Sequence, residues 1–384
     1  MSIVNKYIND IMEKSKPGYP YWNKEVLLQN KEMGWNYIDG CMIKCILDLY
    51  DQTTEEKYLE FADSYIDHFV DDEGKILGYN QEDYNLDFIN EGKVLFRLSK
   101  YTNKPKYALA IDTLYEQIKH QPRTPEGNFW HKKIYDNQVW LDGIYMSLPF
   151  YLEYENNHGF KNYNDIFNQL ENVKNLMKDS TSDIPNHAYD SSRKSFWCDK
   201  QTGLSHTKWL RSIGWYSMAL IDMIELVDTQ MYDEYMFLVN EFRDLIKAEL
   251  QYQDQSGMFY QVIDQMERPG NYLETSGSAM IGYAIYKGCR LGILPPEYKK
   301  FAKSVSAGID NQYLKSSDQG LSLGGICLVA GLGPEDNKRR DGTFEYYISE
   351  PIVEDDAKGI GPYIMMKIEE QRTLEGSSNV NTRT

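Results

Sequence analysis

An all-α fold of serially paired helices is predicted by three features of this chain. Apolar positions recur at helical spacing, turn signals cut the sequence into about twelve helix-length segments, and short connections alternate with long ones. Consecutive helices joined in this way form hairpins, and hairpins arranged in a ring place alternate connections on opposite rims. The rim that gathers the long connections is the one where binding residues are expected.

Taken in order, the first helix is predicted at residues 3–15, where Ile3, Tyr7 and Ile11 lie four apart. The second and third cover 35–50 and 54–71, divided by the short link 51–53, and Leu59, Asp63, Ile66 and Val70 give the third a mixed face of the same period. Helices at 88–101 and 105–120 follow, separated at Asn103 to Pro105. The long segment 120–140 leads into the apolar run WLDGIYMSLPF and a helix at 141–156, paired with one at 162–177. A second long polar segment, 178–208, precedes helices at 209–228 and 231–251, and the series closes with 275–291, 296–313 and 355–371. Because one continuous ring absorbs this length without an internal linker, residues 1–372 read as one domain. The closing LEGSSNVNTRT is polar and aperiodic, so 373–384 read as a mobile tail.

Composition narrows the function classes. A formal charge of −17 opposes nucleic acid and anionic lipid as partners, yet a few basic residues inside a cleft can still dominate locally for a small anionic substrate. The 31 Tyr, 14 Phe and 7 Trp fit either a Tyr-rich core or flat surfaces for sugar rings, whose C–H faces stack while their hydroxyls seek hydrogen bonds. Cys41, Cys45, Cys198, Cys289 and Cys327 have neither a disulfide framework nor zinc-ribbon spacing. The opening MSIVNKYINDIMEK lacks a signal-peptide pattern and no apolar run approaches a membrane span, so the expected compartment is the cytoplasm.

Several residues could carry chemistry. Asp142 opens an apolar helix among Trp140, Tyr145 and Phe150, either as a helix cap or as a general acid that its apolar neighbours keep protonated near neutral pH. Asp87 opens another helix in the same manner, with the same two readings. In HTKWLRSIGWYSMAL, Trp209 and Trp215 flank Arg211, combining stacking surfaces with a planar fork for a carboxylate; a core Trp pair with a solvated Arg is the alternative. His187 and His131 sit in long loops, the latter followed by Lys132 and Lys133. His68, His120, His131, His158, His187 and His206 form no metal-ligand spacing, so neither a catalytic metal nor another cofactor is expected. The glycine-rich run GGICLVAGLG lacks the lysine and spacing of a phosphate loop and reads as turns.

The segments NLDFINEGK, WLDGIYMSLPF, NHAYD, WLRSIGWYSMAL, LETSGSAMIGYAIYKG and RDGTFEYYISEPIVEDDAKGIGPYI, in this order, resemble glycoside hydrolase family 105, the unsaturated glycuronyl hydrolases, and more distantly the family 88 unsaturated glucuronyl hydrolases. The resemblance spans most of the chain. It implies an (α/α)6 barrel of six helical hairpins and hydration of the C4=C5 vinyl ether in a sugar left by a polysaccharide lyase. Protonation at C4 leaves an oxocarbenium-like C5, water adds there, and the hemiketal opens to release a 5-keto-4-deoxyuronate. By this resemblance Asp142 is the general acid/base and Asp87 the second aspartate. His187, Trp209, Arg211 and Trp215 contact substrate, with Tyr37, His131, Lys132 and Trp140 as further site positions. Ser212 stands where the family often has glycine and is expected to narrow the subsite. The implied partner is an unsaturated uronate oligosaccharide, pectin-derived rhamnogalacturonan first. The residues leave two rivals: an inverting glycosidase with its two acids roughly 6.5–9.5 Å apart, and a sugar-binding protein without turnover.

Overall fold

The chain folds into fourteen helices and three two-stranded ribbons in a computed structural model that describes residues 2–159, 162–179, 181–228, 230–318 and 320–380. In chain order the helices are α1 (Ser2–Glu13), α2 (Lys24–Gln29), α3 (Tyr37–Thr53), α4 (Glu56–Asp67), α5 (Asp87–Thr102), α6 (Pro105–His120) and α7 (Leu141–His158). They continue with α8 (Tyr163–Leu176), α9 (Leu210–Leu226), α10 (Tyr232–Glu249), α11 (Thr275–Arg290), α12 (Lys299–Tyr313), α13 (Phe344–Ser349) and α14 (Ala357–Val380).

Six of them close a ring. Helix α3 packs on α5, α5 on α7, α7 on α9, α9 on α11, α11 on α14, and α14 returns to α3. Helices α1, α4, α6, α8, α10 and α12 form an outer layer against them. The sequence shows why each helix takes its layer. From Leu210 to Ile224 every residue of α9 is buried, as is every residue of α11 from Thr275 to Gly288, because an inner helix is covered on all sides. Outer helices such as α12 bury one stripe only, here Ala302, Val305, Ser306, Gly308 and Ile309. Glycine closes the ring where helices come nearest: a Cβ on Gly40 would lie 2.8 Å from the Cα of Glu91, and one on Gly361 2.8 Å from the Cys41 carbonyl oxygen.

All inner helices run the same way. A cavity of about 430 Å³ at one end is lined by Asp48, Arg97, Glu153, Asp222, Lys287 and Glu369, one from the C-terminal part of each inner helix. Connections at that end are short, such as 54–55 and 103–104, while the long segments 121–140, 177–209 and 314–356 enter the inner helices at their N-termini. The opposite rim therefore collects six helix N-termini and the long loops. Antiparallel ribbons pin those loops: β1 (Gln138–Trp140) pairs with β2 (Ala188–Asp190), β3 (Leu314–Ser317) with β4 (Gly320–Leu323), and β5 (Ile326–Cys327) with β6 (Ile352–Val353).

The (α/α)6 barrel expected from the sequence is present, and so are all twelve predicted helices. Three details differ. Helices α2 and α13, six residues each, were not expected, being too short to show a period; side-chain caps from Asn23 and Thr343 hold their first turns. The glycine-rich run read as turns contains β5, paired through Cys327 with Ile352. Helix α14 continues to Val380 with Thr373 buried, so the expected tail is helical from 373 to 380, while 381–384 lie outside the described residues.

Candidate active site

The first turns of the inner helices bring the candidate residues to one rim. Asp142 is the second residue of α7, and the β1–β2 register, with Trp140 opposite Ala188, sets His187 beside it. The Leu141 amide donates to the His187 carbonyl at 3.1 Å, and His187 Nε2 lies 3.0 Å from Asp142 Oδ2. Asp87 is the first residue of α5. The Leu86 amide donates to the His131 carbonyl at 3.1 Å, which ties the loop before β1 to this helix and brings Lys132 Nζ to 2.5 Å from Asp87 Oδ2. His131 Nε2 is 3.7 Å from Asp87 Oδ1. Neither aspartate serves as a helix cap: the cap positions are Trp140 and Leu86, without side-chain cap bonds, and both carboxylates are spent on partners across the rim.

One expectation fails here. Burial does push the Asp142 carboxyl upward, as its apolar setting suggests, but the charge and hydrogen bond of His187, with His131 behind it, outweigh burial and hold the acid below its ordinary value. Burial presses Lys132 downward, and Asp87 reverses this so that its ammonium is held above the usual lysine range.

Arg211, the second residue of α9, is buried. Its Nη1 donates to the Cys327 carbonyl at 2.5 Å and to Ser276 Oγ at 3.3 Å, and the guanidinium lies 4.8 Å from the Trp209 ring. Burial opposes its charge, but Cys327 and Glu274 hold it above its ordinary value. The predicted sandwich of Arg211 between two indoles is half formed: Trp215, one turn deeper, stacks instead on Tyr145 at 4.7 Å inside the barrel. Trp209 is 4.9 Å from the His187 ring, so Asp142, His187, Trp209 and Arg211 form a continuous chain. Trp140 stacks on His131 at 4.5 Å and on Tyr135 at 4.7 Å. Tyr37 opens α3, with Lys358 Nζ 6.0 Å above its ring. Ser212 is fully buried beside Arg211, and its Oγ turns back to donate to the Trp209 carbonyl at 2.8 Å. Next to Asp87 and Tyr37 a cavity of about 350 Å³ opens, lined also by Trp35, Asn36 and Glu25.

The chain has counterparts of similar sequence and fold. The model of Glycosyl Hydrolase Family 88 matches residues 6–374. The chain belongs to this family and is a glycoside hydrolase. It is similar to a family 105 glycoside hydrolase of C. acetobutylicum ATCC 824, 40% identical, with TM-score 0.87 over 95% of this chain and 99% of that one. Protein Atu3128 of Agrobacterium fabrum is 39% identical over 227 residues, 57% of this chain and 96% of its own length. The unsaturated rhamnogalacturonyl hydrolase YesR of Bacillus subtilis is 24% identical over 287 residues, 73% and 76% of the two chains.

In this family 88 chain the structure adds residues that local sequence reasoning passed over. Glu274 caps α11 by accepting from the Gly277 amide at 2.8 Å, and it also accepts from the Cys327 amide at 3.0 Å, which explains the ETSGSAM run. Tyr346 accepts from the Gly331 amide at 3.0 Å, Tyr347 reaches His187 at 2.6 Å, and Lys358 pairs with Asp356 at 3.0 Å. The signal for Tyr346, Tyr347 and Lys358 was the long YYISEPIVEDDAKG segment, whose residues meet the site only after the barrel closes.

Burial lowers the His131 ring to about 4, although Asp87 pulls the other way. Between about 4 and the ordinary 6.5 the unfolded chain binds a proton that the folded chain does not, so stability is lost as pH falls through that window. At 1.36 kcal/mol per unit this loss is up to about 3 kcal/mol. His131→Gln is expected to remove it, so that denaturant unfolding at pH 7 and pH 4.5 shows the variant gaining on the wild type in acid. Equal losses for both proteins would contradict the assignment.

Proposed function

We propose that this enzyme hydrates the C4=C5 vinyl ether of an unsaturated uronic-acid sugar, with Asp142 delivering a proton to C4 and then activating the water that adds at C5. The observation that carries this reading is the Asp142–His187 pair at 3.0 Å, set on the same rim as Asp87–Lys132 and Arg211. A carboxylate bonded to an imidazole exchanges protons in both directions, as the two halves of the reaction require. The substrate's own carboxylate is recognised at the N-terminal rim. There the dipoles of six parallel helices supply positive potential in a chain of net charge −17, and Arg211 supplies a fork of donors. Asp87 faces the cationic C5 centre as it develops. Lyase-generated rhamnogalacturonan disaccharides are the proposed first substrates, in keeping with the name of YesR, and the cytoplasm the proposed compartment, in keeping with five free cysteines.

A panel of lyase-generated unsaturated disaccharides tests this. Hydration abolishes the ultraviolet band of the conjugated uronate, so absorbance is expected to fall with enzyme. Cleavage of saturated glycosides with no fall on any unsaturated one would instead favour the inverting reading. Arg211→Lys keeps the charge but loses the fork, and a lost charge-assisted bond of about 1.5 kcal/mol corresponds to a roughly tenfold rise in KM. An unchanged KM would remove Arg211 from substrate recognition.

A further inference from the structure

We propose that Tyr347 is a positioning residue that lets His187 hold or release a proton without losing its contact to Asp142, making the pair the proton store for the reaction. The inference rests on the role given to Asp142 above. Its basis is a buried relay. The Tyr347 oxygen is 2.6 Å from His187 Nδ1, and His187 Nε2 is 3.0 Å from Asp142 Oδ2. His187 and Tyr347 are both 0% exposed, so bulk solvent reaches neither partner.

The chemistry follows from what each group can donate. When the ring is neutral, the Tyr347 hydroxyl donates to Nδ1, which places the one ring proton on Nε2, facing Asp142. When the ring is an imidazolium, Nδ1–H donates to the same oxygen and Nε2–H again faces Asp142. A carbonyl or carboxylate in the place of Tyr347 could only accept. It would force the neutral ring to carry its proton on Nδ1 and turn the bare Nε2 lone pair against the Asp142 carboxylate. A hydroxyl serves both states, and burial keeps this phenol protonated throughout.

The proton balance is then closed. The imidazolium passes its Nε2 proton to Asp142 while its Nδ1–H goes on donating to the Tyr347 oxygen, and the carboxylic acid gives the transferred proton to C4 of the substrate. In the second half Asp142 takes a proton from the water whose hydroxide joins C5 and returns it to His187, so the net change is addition of one water to the double bond. The charged and titratable groups around the relay are Asp87, His131 and Lys132 on one side, Arg211 across Trp209, and Cys327, Asp341 and Tyr346 near the phenol. None of them offers Nδ1 a hydrogen bond, which Tyr347 alone supplies among the described residues.

Tyr347→Phe keeps the ring and removes only the hydroxyl. An imidazolium N–H buried without an acceptor is disfavoured more than a bare neutral nitrogen, so the loaded pair gives up its proton more easily. The alkaline limb of kcat/KM is expected to move to lower pH by about one unit, a tenfold loss at fixed pH above the limb, while the acid plateau and KM stay within about threefold. Imidazole ¹⁵N spectra, with His187 assigned through His187→Asn, give a readout independent of turnover: as pH rises the Nδ1 proton is lost about one unit lower in Tyr347→Phe than in the wild type. A limb that does not move, or loss of the Nδ1 proton at the same pH in both proteins, overturns the proposal. If the wild type consumes no unsaturated uronide, the role of Asp142 fails instead, and the spectra still decide whether Tyr347 governs His187.

Discussion

Asp142→Asn is expected to lower kcat by about 10²–10⁴-fold, the range that a positioned proton donor contributes. The substitution is nearly isosteric, and the amide oxygen can still accept from His187 Nε2, which lies 3.0 Å from Oδ2 in the wild type. Folding and KM are therefore expected to change little while proton delivery to C4 stops. The measurement is the initial rate of absorbance loss on an unsaturated disaccharide, set beside a thermal melt. Turnover within tenfold of the wild type would remove Asp142 from the chemistry. A second signature comes from acid. His187 and His131 hold the Asp142 carboxyl below its ordinary value against the opposing effect of burial, so its contribution to stability is present above the usual carboxylate range and lost as pH falls through the lower folded value. The Asn variant has nothing to lose there, and the two stabilities are expected to converge in acid.

Asp87→Asn is expected to lower kcat by about 10²–10³-fold, as for loss of one preorganised group facing developing charge. Lys132 complicates the substitution, because its Nζ donates to Asp87 Oδ2 at 2.5 Å and would be left without a carboxylate. The double variant Asp87→Asn/Lys132→Met separates the two effects. If Asp87 acts on the C5 cation, removing Lys132 as well leaves kcat low. If Asp87 serves only to neutralise Lys132, the double variant recovers most of the turnover. Near-normal kcat in the single variant would exclude either role.

The outer helices were legible from their apolar period and the inner ones from apolar runs of helix length between turn signals, features that survive without knowledge of neighbours. Alternating connection lengths made the hairpin arrangement legible too, since long segments such as 121–140 and 177–209 stand out in a chain of short turns. The aspartates were visible as acids opening apolar helices, but the local pattern could not separate a cap from a working carboxylate. That distinction came from partners distant in sequence: His187 is 45 residues from Asp142, and Lys132 reaches Asp87 from beyond α5, α6 and a loop. Trp215 shows the reverse case. Its spacing from Arg211 suggested a shared sugar surface, whereas Tyr145, on the neighbouring α7, takes its face. The partner of the Ser212 hydroxyl, the Trp209 carbonyl, likewise shows only in the folded chain.

By itself, then, the amino-acid order determined the helices, their pairing into hairpins and the rim on which the acids and the guanidinium stand, because hydrophobic period and turn chemistry act over a few residues. Only the tertiary structure decided the pairing of Asp142 with His187, the burial of Arg211 and the place of Tyr347 behind His187. Those properties depend on distances of a few ångströms between groups as much as 160 residues apart, and electrostatic and hydrogen-bond energies are set by such distances and by burial, which no local pattern encodes.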